Sequence, residues 1–218
     1  MNNLVTLVIA TSNLGKTAEI RDMLEDFPVN IKNLADFGPI PPIEEDGDTF
    51  DDNAYKKASV VSKILGLPAL ADDSGLVVDA LGGAPGVYSA RYAGENATDE
   101  QRYTKLLAEM KDETNRKAVF ECVLSIAVPS GQALTYEASC EGVIAEAPAG
   151  EGGFGYDPVF YYPPLEKTFG QLTREEKSRV SHRGKALQEL REEFEKVLTW
   201  IEQNIPVQER HGCQHEQH

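Results

Sequence analysis

The hydrophobic positions near the start of the chain change from a strand pattern to a helix pattern across a short polar turn. Residues 4–9 form a continuous apolar run rich in β-branched side chains, which predicts a buried strand. The apolar residues after the turn recur with the spacing of one helix face: Ile20, Met23, Leu24 and Phe27. The chain therefore opens as strand, turn and amphipathic helix.

Similar patterns continue along the chain and predict its fold class. Helices are predicted over 50–65, after Thr98 and over 187–201, and strands over 67–71, 116–128 and 134–144. Capping pairs mark three helix starts: Thr49 with Asp52, Thr98 with Gln101, and Thr173 with Glu176. This order predicts an α/β fold with a mixed sheet and a second, partly antiparallel lobe. We expect one domain over 1–205 and a disordered polar tail over 206–218.

Composition and charge narrow the classes of partner. The 218 residues are 41% hydrophobic and 26% charged, with a formal net charge of -15. Such an acidic chain is a poor match for a nucleic-acid surface, whereas a local lysine cluster could still hold a small phosphorylated ligand. We find neither an apolar stretch long enough to span a membrane nor a secretory leader, and expect a cytoplasmic protein with Cys122 and Cys140 reduced.

The turn at residues 10–17 is the first candidate for chemistry. A polar, glycine-containing turn between strand and helix points backbone N–H groups and the positive end of a helix dipole toward an anion, and Lys16 adds a charge. Ser12 or Asn13 could instead be an ordinary helix cap. The turn also nearly matches a phosphate-binding P-loop, although Ala10 stands where that pattern has its first glycine.

Acidic residues recur at two later points. Residues 44–48 crowd carboxylates around Gly47 before a predicted helix, where they could favour the helix N-terminus or hold Mg²⁺. On that helix Asn53 and Lys57 share a stripe, which is either a solvated edge or a pair aimed into a cleft. Asp72 and Asp73 follow the strand at 67–71, and we expect one to face the cleft and the other to fix a turn.

The remaining distinctive stretches are rich in glycine and aromatic residues. Residues 81–94 could form a lid or merely a turn, and residues 150–160 offer close backbone approach and rings for stacking on a base. His182 and Arg183 supply donors that could read carbonyl oxygens on that base. The hairpin at 116–144 carries no evident chemistry and is expected to be scaffold.

Six blocks, taken in order, resemble the inosine/xanthosine triphosphate pyrophosphatase family over residues 4–200. They are Thr11-Ser12-Asn13-Leu14-Gly15-Lys16; Glu45-Asp46-Gly47-Asp48-Thr49-Phe50 with Asn53-Ala54 and Lys57-Ala58; Ala71-Asp72-Asp73-Ser74-Gly75; Gly82-Gly83-Ala84-Pro85-Gly86 with Ser89-Ala90-Arg91-Tyr92; Gly153-Phe154-Gly155-Tyr156-Asp157-Pro158; and Ser181-His182-Arg183-Gly184. The related septum-associated pyrophosphatases open with Ser-Pro-Arg-Arg, which this chain lacks.

The resemblance implies a homodimeric, two-lobed α/β enzyme with a long central mixed sheet and a nucleotide cleft between the lobes. It implies Mg²⁺-dependent hydrolysis of ITP, dITP or XTP to the monophosphate and pyrophosphate, which removes deaminated purines from the nucleotide pool. Glu45 and Asp73 would be metal ligands, and Asp73 also the proton acceptor. The substrate would be bound by Thr11, Ser12, Asn13, Leu14, Gly15, Lys16, Lys57, Ser74, Phe154, Gly155, Tyr156, Asp157, Lys177, His182 and Arg183.

The expected mechanism places positive charge at the phosphates and a carboxylate at the attacking water. Lys16 and Lys57 would stabilise charge on the α-phosphoryl group and the departing pyrophosphate. Asp73 would deprotonate water, with Asp72 possible in a shared role because a metal-bound carboxylate is a poor base. Two other classes remain open, a degenerate P-loop NTPase that releases orthophosphate and a sensor that binds ITP intact.

Overall fold

The computed structural model describes residues 4–11 and 13–205. The strands are β1 Val5–Ile9, β2 Val29–Asn33, β3 Ala69–Val78, β4 Lys117–Ala127, β5 Ala133–Ile144, β6 Phe160–Tyr162 and β7 Lys167–Thr168. The helices are α1 Leu14–Leu24, α2 Phe50–Leu65, α3 Asp99–Glu109, α4 Arg174–Val180 and α5 His182–Asn204. In the described residues the strands form one seven-stranded sheet, ordered β2-β1-β3-β4-β5-β6-β7.

The sheet is mixed, which confirms the predicted α/β fold class. β1 pairs in parallel with β2 and β3, whereas every pairing from β3 to β7 is antiparallel. The predicted hairpin is confirmed by the register of β4 and β5, from Ala127 opposite Ala133 to Lys117 opposite Val143. This long hairpin extends the sheet well beyond its short parallel part.

Alternation along the strands sends side chains to two separate cores. Leu70 on β3 joins the cluster formed with α1 and α5, whereas its neighbours Ala69 and Ala71 join the cluster formed with α2. Because successive strand residues face opposite sides of a sheet, Asp72 lies on the α1–α5 face and Asp73 on the α2 face. The two adjacent carboxylates therefore meet different helices.

Side-chain caps fix where the helices begin. Thr98 and Thr173 each form a full capping box, and Thr49 accepts a hydrogen bond from the Asp52 amide, as the sequence predicts. Asn13 caps α1 by accepting from the amides of Gly15 and Lys16. These caps matter for the site because they orient the first turns of α1 and α3.

The predicted turn at the aspartate pair is wrong. β3 does not end at Asp72 but continues to Val78, because β4 lies antiparallel beside its whole length and satisfies its backbone groups. The glycine-rich stretch after β3 forms two short 3₁₀ helices, Asp79–Leu81 and Gly86–Arg91. The predicted tail at 206–218 lies outside the described residues.

Two further predictions concern cysteines and membranes. Cys122 and Cys140 are free and buried, in agreement with the expectation of reduced thiols. Within the described part of the chain, none of the helices combines the length and the apolarity needed to cross a bilayer.

Candidate active site

The candidate site begins where β1 ends and the edge of β3 opposite β4 becomes free. β1 pairs with β3 only as far as Leu70, and among the described residues no other strand pairs with this edge of β3 beyond that point. The carbonyl oxygen of Asp72 instead accepts hydrogen bonds from Lys16 Nζ at 3.3 Å and Lys57 Nζ at 3.0 Å. This gap in the sheet thus gathers the two lysines predicted to bind phosphate, one from α1 and one from α2.

Asp72 is buried on the α1–α5 face of the sheet, where several polar side chains contact it. Its side chain forms ion pairs with Lys16 and, at 2.6 Å, with Arg183 Nε. Ser74 Oγ donates to Asp72 Oδ1 at 2.6 Å and accepts from Arg183 Nη2 at 3.2 Å. Both oxygens of Asp72 are therefore occupied by donors that also line the site.

These partners keep Asp72 ionised. Burial is the largest effect and opposes the charge, but the guanidinium of Arg183 and the ammonium of Lys16 together hold the pKa of Asp72 well below its usual 3.8. An ionised carboxylate with two cationic partners has little tendency to take a proton from water. These contacts suit Asp72 to hold Lys16, Ser74 and Arg183 in place, and they occupy both of its oxygens.

Asp73 differs from Asp72 both in its hydrogen-bond partners and in the direction of its pKa shift. Its Oδ1 accepts from Lys57 Nζ at 3.0 Å, while its Oδ2 is buried and has no hydrogen-bond partner among the described residues. Burial is the largest effect on its carboxyl and raises its pKa, although Lys57 acts in the other direction. Asp73 is therefore the more basic carboxylate of the pair and the one with a free oxygen.

Lys57 links the two carboxylates predicted as metal ligands. Besides Asp73, its Nζ lies 3.3 Å from Oε2 of Glu45. Burial alone would lower the pKa of Lys57, but the negative charges of Asp73 and Glu45 outweigh it and raise the pKa. Lys57 is accordingly a buried cation paired with two carboxylates and not part of a solvated helix edge. Its neighbour Asn53 instead holds the loop through the Gly47 amide at 2.9 Å.

These residues fit a hard divalent cation. The described residues contain no group of three or more His, Cys, Asp or Glu side chains arranged for a metal. Mg²⁺, however, often takes only one or two protein carboxylates and keeps water and substrate oxygens as its other ligands. The unpartnered oxygen of Asp73 and the nearby carboxylate of Glu45 supply that donor set.

Only some residues of the turn at 10–17, which is predicted to bind phosphate, lie at the site. Asn13 and Lys16 line the cavity described below, and Thr11 Oγ1 accepts from the Asn13 amide at 3.1 Å. Leu14, by contrast, is 80% exposed and is not among the residues that line the cavity. Ser12 lies outside the described residues.

A cavity of about 120 Å³ adjoins this turn and contains the predicted base-binding residues. Of the residues predicted for the substrate, those that line it are Asn13, Lys16, Ser74, Phe154, Gly155, Tyr156, Asp157, Lys177, His182 and Arg183. Gly15 backs onto it, because a Cβ there would lie 3.1 Å from the Phe154 ring. The turn at residues 10–17 and the glycine- and aromatic-rich loop at residues 150–160, called the aromatic loop below, therefore meet, although they are far apart in sequence.

The aromatic loop is held by a buried ion pair. Asp157 Oδ2 accepts from the Phe154 amide at 2.8 Å and from Lys177 Nζ at 2.6 Å. Gly153 is required there, since its backbone has φ +76° and a Cβ would lie 1.9 Å from that same oxygen. Lys177 Nζ lies 4.5 Å from the centre of the Phe154 ring. Asp157 thus acts through Phe154 and Lys177 to shape the pocket.

His182 is a neutral, buried ring. It stacks on Phe120 with centroids 4.5 Å apart and planes 14° apart. Burial, followed by the nearby charges of Arg183 and Lys177, lowers the pKa of His182 well below 6.5. Its Nδ1 has no hydrogen-bond partner among the described residues. The imidazole can therefore donate or accept one hydrogen bond to a ligand without carrying a charge.

Sequence reasoning gave no site role to several residues that the structure places here. Glu19 accepts from Arg183 Nη1 at 3.0 Å, and Asp99 accepts from the Gly155 amide at 2.7 Å. Arg102 and Phe120 line the cavity, so the 116–144 hairpin, expected to be scaffold, contributes the Phe120 side chain to the cavity wall. Only helical periodicity could have flagged Glu19, which lies three residues after Lys16 on the same face of α1.

Comparison with known proteins agrees with this architecture. A dITP/XTP pyrophosphatase from Syntrophobacter fumaroxidans is 60% identical over 195 residues, covering 89% of this chain and 84% of that protein. A dITP/XTP pyrophosphatase from Thermus thermophilus is 55% identical over 190 residues, covering 86% and 91%. The solved structure of a HAM1 protein from Coxiella burnetii superposes with a TM-score of 0.83 at 42% identity, covering 88% of this chain and all of that one.

The family model of the Ham1 family matches residues 7–193, which include every described residue discussed in this site. The names of the relatives agree with the predicted class of enzyme. The aspartate pair, the two lysines and the aromatic loop all fall within the matched segment. The chain belongs to the Ham1 family.

Proposed function

We propose that the chain hydrolyses deaminated purine nucleoside triphosphates, namely ITP, dITP and XTP, to the monophosphate and pyrophosphate. Relatives that are 50–60% identical are named dITP/XTP pyrophosphatases. The observation that carries the proposal is Asp73, whose buried, unpartnered Oδ2 lies on a carboxyl of raised pKa next to fixed lysines. That combination suits a general base acting on a water beside an anionic substrate.

The two lysines supply the positive charge that a triphosphate needs. Lys16 and Lys57 both donate to the Asp72 carbonyl, so their ammonium groups converge on one point of the gap beyond β1. Charge placed there in advance stabilises the negative charge that develops on the α-phosphoryl group and the leaving pyrophosphate. Asp72 orients Lys16 for this role and does not itself exchange a proton.

The base would enter the cavity beside Phe154. The ring of Phe154 offers a stacking face, and such contacts contribute about 1–3 kcal/mol per base. Lys177, Arg183 and neutral His182 present hydrogen-bond donors toward it. A 6-keto oxygen accepts these hydrogen bonds, whereas the 6-amino group of adenine would leave buried donors unpaired. The pocket therefore favours hypoxanthine and xanthine over adenine.

Asp73 and Glu45 would hold the proposed Mg²⁺. When bound, Mg²⁺ offsets the charge of the triphosphate oxygens and orients them for displacement. Lys57 Nζ, in contact with both carboxylates, keeps them close together and reduces their mutual repulsion.

We also propose, from the family resemblance, that the chain is a homodimer and acts in the cytoplasm. Light scattering tests the dimer through a mass twice that of one chain.

Product analysis tests the proposal. The chain is incubated with XTP, ITP, dITP, GTP and ATP, with and without Mg²⁺, and pyrophosphate and orthophosphate are measured separately. We expect pyrophosphate from XTP, ITP and dITP, little product from ATP, and no reaction without metal. Orthophosphate from ATP or GTP would instead support a P-loop enzyme. Tight binding of intact ITP without turnover would support a sensor.

A further inference from the structure

Arg102 is a positively charged residue in the wall of the cavity beside Phe154. Neither the sequence motifs nor the names of the relatives give Arg102 a role. It stands in the first part of α3 and lines the cavity together with Phe154 and Tyr156. Its Nη1 donates to Asp99 Oδ1 at 2.6 Å and its Nη2 to the Ala97 carbonyl at 2.6 Å. These two bonds hold the plane of the guanidinium without using all of its donors.

The guanidinium has hydrogen-bonding capacity left over. An arginine carries five N–H donors, and Nε of Arg102 is buried with no partner among the described residues. Leaving a donor unpaired and out of water is unfavourable, so an acceptor that completes it contributes binding free energy. Because Arg102 lines the cavity, a ligand bound there can supply such an acceptor.

Arg102 is also tied to the loop that shapes the base pocket. Its ion-pair partner Asp99 accepts from the Gly155 amide at 2.7 Å, so Asp99 connects α3 directly to the aromatic loop. Tyr156 OH donates to the Ser89 carbonyl at 2.8 Å, and the charge of Arg102 acts on that phenol to lower its pKa against the dominant, raising effect of burial. Arg102 therefore lies close to the residues predicted to contact the purine.

We propose that Arg102 determines specificity at the 2-position of the purine by donating a hydrogen bond to the 2-keto oxygen of xanthine. This inference rests on the proposed function. Lys177, His182 and Arg183 are already assigned to the 6-keto side, which xanthine, hypoxanthine and guanine share. Arg102 supplies the separate contact that distinguishes these three bases.

The chemistry at position 2 gives each base a different outcome. Xanthine presents an oxygen that accepts from Arg102, hypoxanthine presents only a hydrogen, and guanine presents an amino group whose N–H bonds face another donor. Guanine thereby leaves Arg102 unsatisfied and desolvates its own amino group, which a site with buried donors discriminates against strongly. The expected order is xanthine first, hypoxanthine second and guanine last.

The test compares Arg102→Leu and Arg102→Gln with a matched control, Arg179→Leu, whose guanidinium pairs with Glu175 on the exposed side of α4. The readout is the ratio of kcat/KM for XTP to that for ITP. We expect Arg102→Leu to lower this ratio about tenfold. The same substitution should raise kcat/KM for GTP relative to kcat/KM for XTP. Arg102→Gln, which keeps one donor, should recover part of the ratio, and Arg179→Leu should leave it unchanged.

If Arg102 had a purely structural role, its replacement would lower kcat/KM for XTP and for ITP by the same factor. An unchanged ratio in folded Arg102→Leu therefore overturns the inference. If Arg102→Leu does not fold, the ratio in Arg102→Gln decides in the same way. Calorimetric binding of the monophosphates XMP, IMP and GMP provides a readout that does not depend on turnover. Wild-type chain that releases no pyrophosphate refutes the proposed function, while the order of monophosphate affinities still decides the role of Arg102.

Discussion

Lys57 Nζ lies 3.0 Å from Oδ1 of Asp73, and the second oxygen of Asp73 has no hydrogen-bond partner among the described residues. The lysine therefore fixes one half of the carboxylate and leaves the other half for water or metal. On the opposite face of β3, Asp72 has both oxygens bound by Lys16, Ser74 and Arg183. Two adjacent residues of one type thus have different chemistry because the strand directs them to different helices.

Replacing Asp73 by Asn should remove most of the activity. The amide keeps the shape of the side chain and an oxygen for Lys57 but cannot accept a proton from water. General-base catalysis contributes about 10²–10⁴-fold, so kcat for XTP should fall by at least about 100-fold. Steady-state kinetics with Asp112→Asn as the surface control measure this. A fall of only a few-fold would rule out Asp73 as the base.

Replacing Lys57 by Met should move the acid limb of the pH–rate profile to higher pH. Burial raises the pKa of Asp73 and Lys57 lowers it, so removing the lysine raises that pKa further. The base must be ionised to act, and a higher pKa demands a higher pH for the same ionised fraction. The profile of kcat/KM is compared with that of Lys56→Met, in which the neighbouring, more exposed lysine is lost. An acid limb that stays in place or moves to lower pH contradicts this assignment.

Replacing Asp72 by Asn should destabilise the fold. Removing one partner of a buried ion pair leaves the other unpaired and costs about 3–5 kcal/mol in the free energy of unfolding. Since the pKa of Asp72 is lowered on folding, its contribution is complete above pH 3.8 and is lost as the pH falls below that value. Urea unfolding at pH 7 and at descending acidic pH should show the difference from wild type shrinking. The exposed control Asp112→Asn should leave the free energy of unfolding at pH 7 unchanged.

His182 should remain neutral across the working range of pH. Burial and the charges of Arg183 and Lys177 lower its pKa well below 6.5, because protonation would place another cation beside these two. We expect its imidazole NMR signals, assigned by their loss in His182→Gln, to stay in the neutral form from pH 8 to pH 6. A titration with a midpoint near 6.5 would show that the ring is solvated and not part of a closed pocket.

The local elements of this fold were predictable because their signals are local. Helix starts at Thr98 and Thr173 follow from side chains that bond to backbone three residues away. The β4–β5 hairpin follows from two apolar runs around one turn. Lys16 and the loop at residues 150–160, both predicted from sequence motifs to bind substrate, lie around one cavity, whereas Lys57 is not among the residues that line it.

The errors arose where tertiary contacts override local patterns. Asp72 and Asp73 suggest a turn because isolated carboxylates are unfavourable in a strand, but Arg183, 111 residues away, and Lys57 compensate their charges there. Phe120 belongs to a strand with an ordinary apolar pattern, and only its stacking on His182 brings it to the site. The separate duties of the two aspartates likewise depend on which helix covers each face.

Oxygen from labelled water shows which phosphorus atom of the substrate is attacked. Wild-type chain hydrolyses XTP in H₂¹⁸O with Mg²⁺, and mass spectrometry locates the label in the products. Attack at the α-phosphorus by a water activated by Asp73 predicts one ¹⁸O in the monophosphate and none in pyrophosphate. Label in pyrophosphate, or release of labelled orthophosphate, would place the attack at another phosphorus and rule out this mechanism.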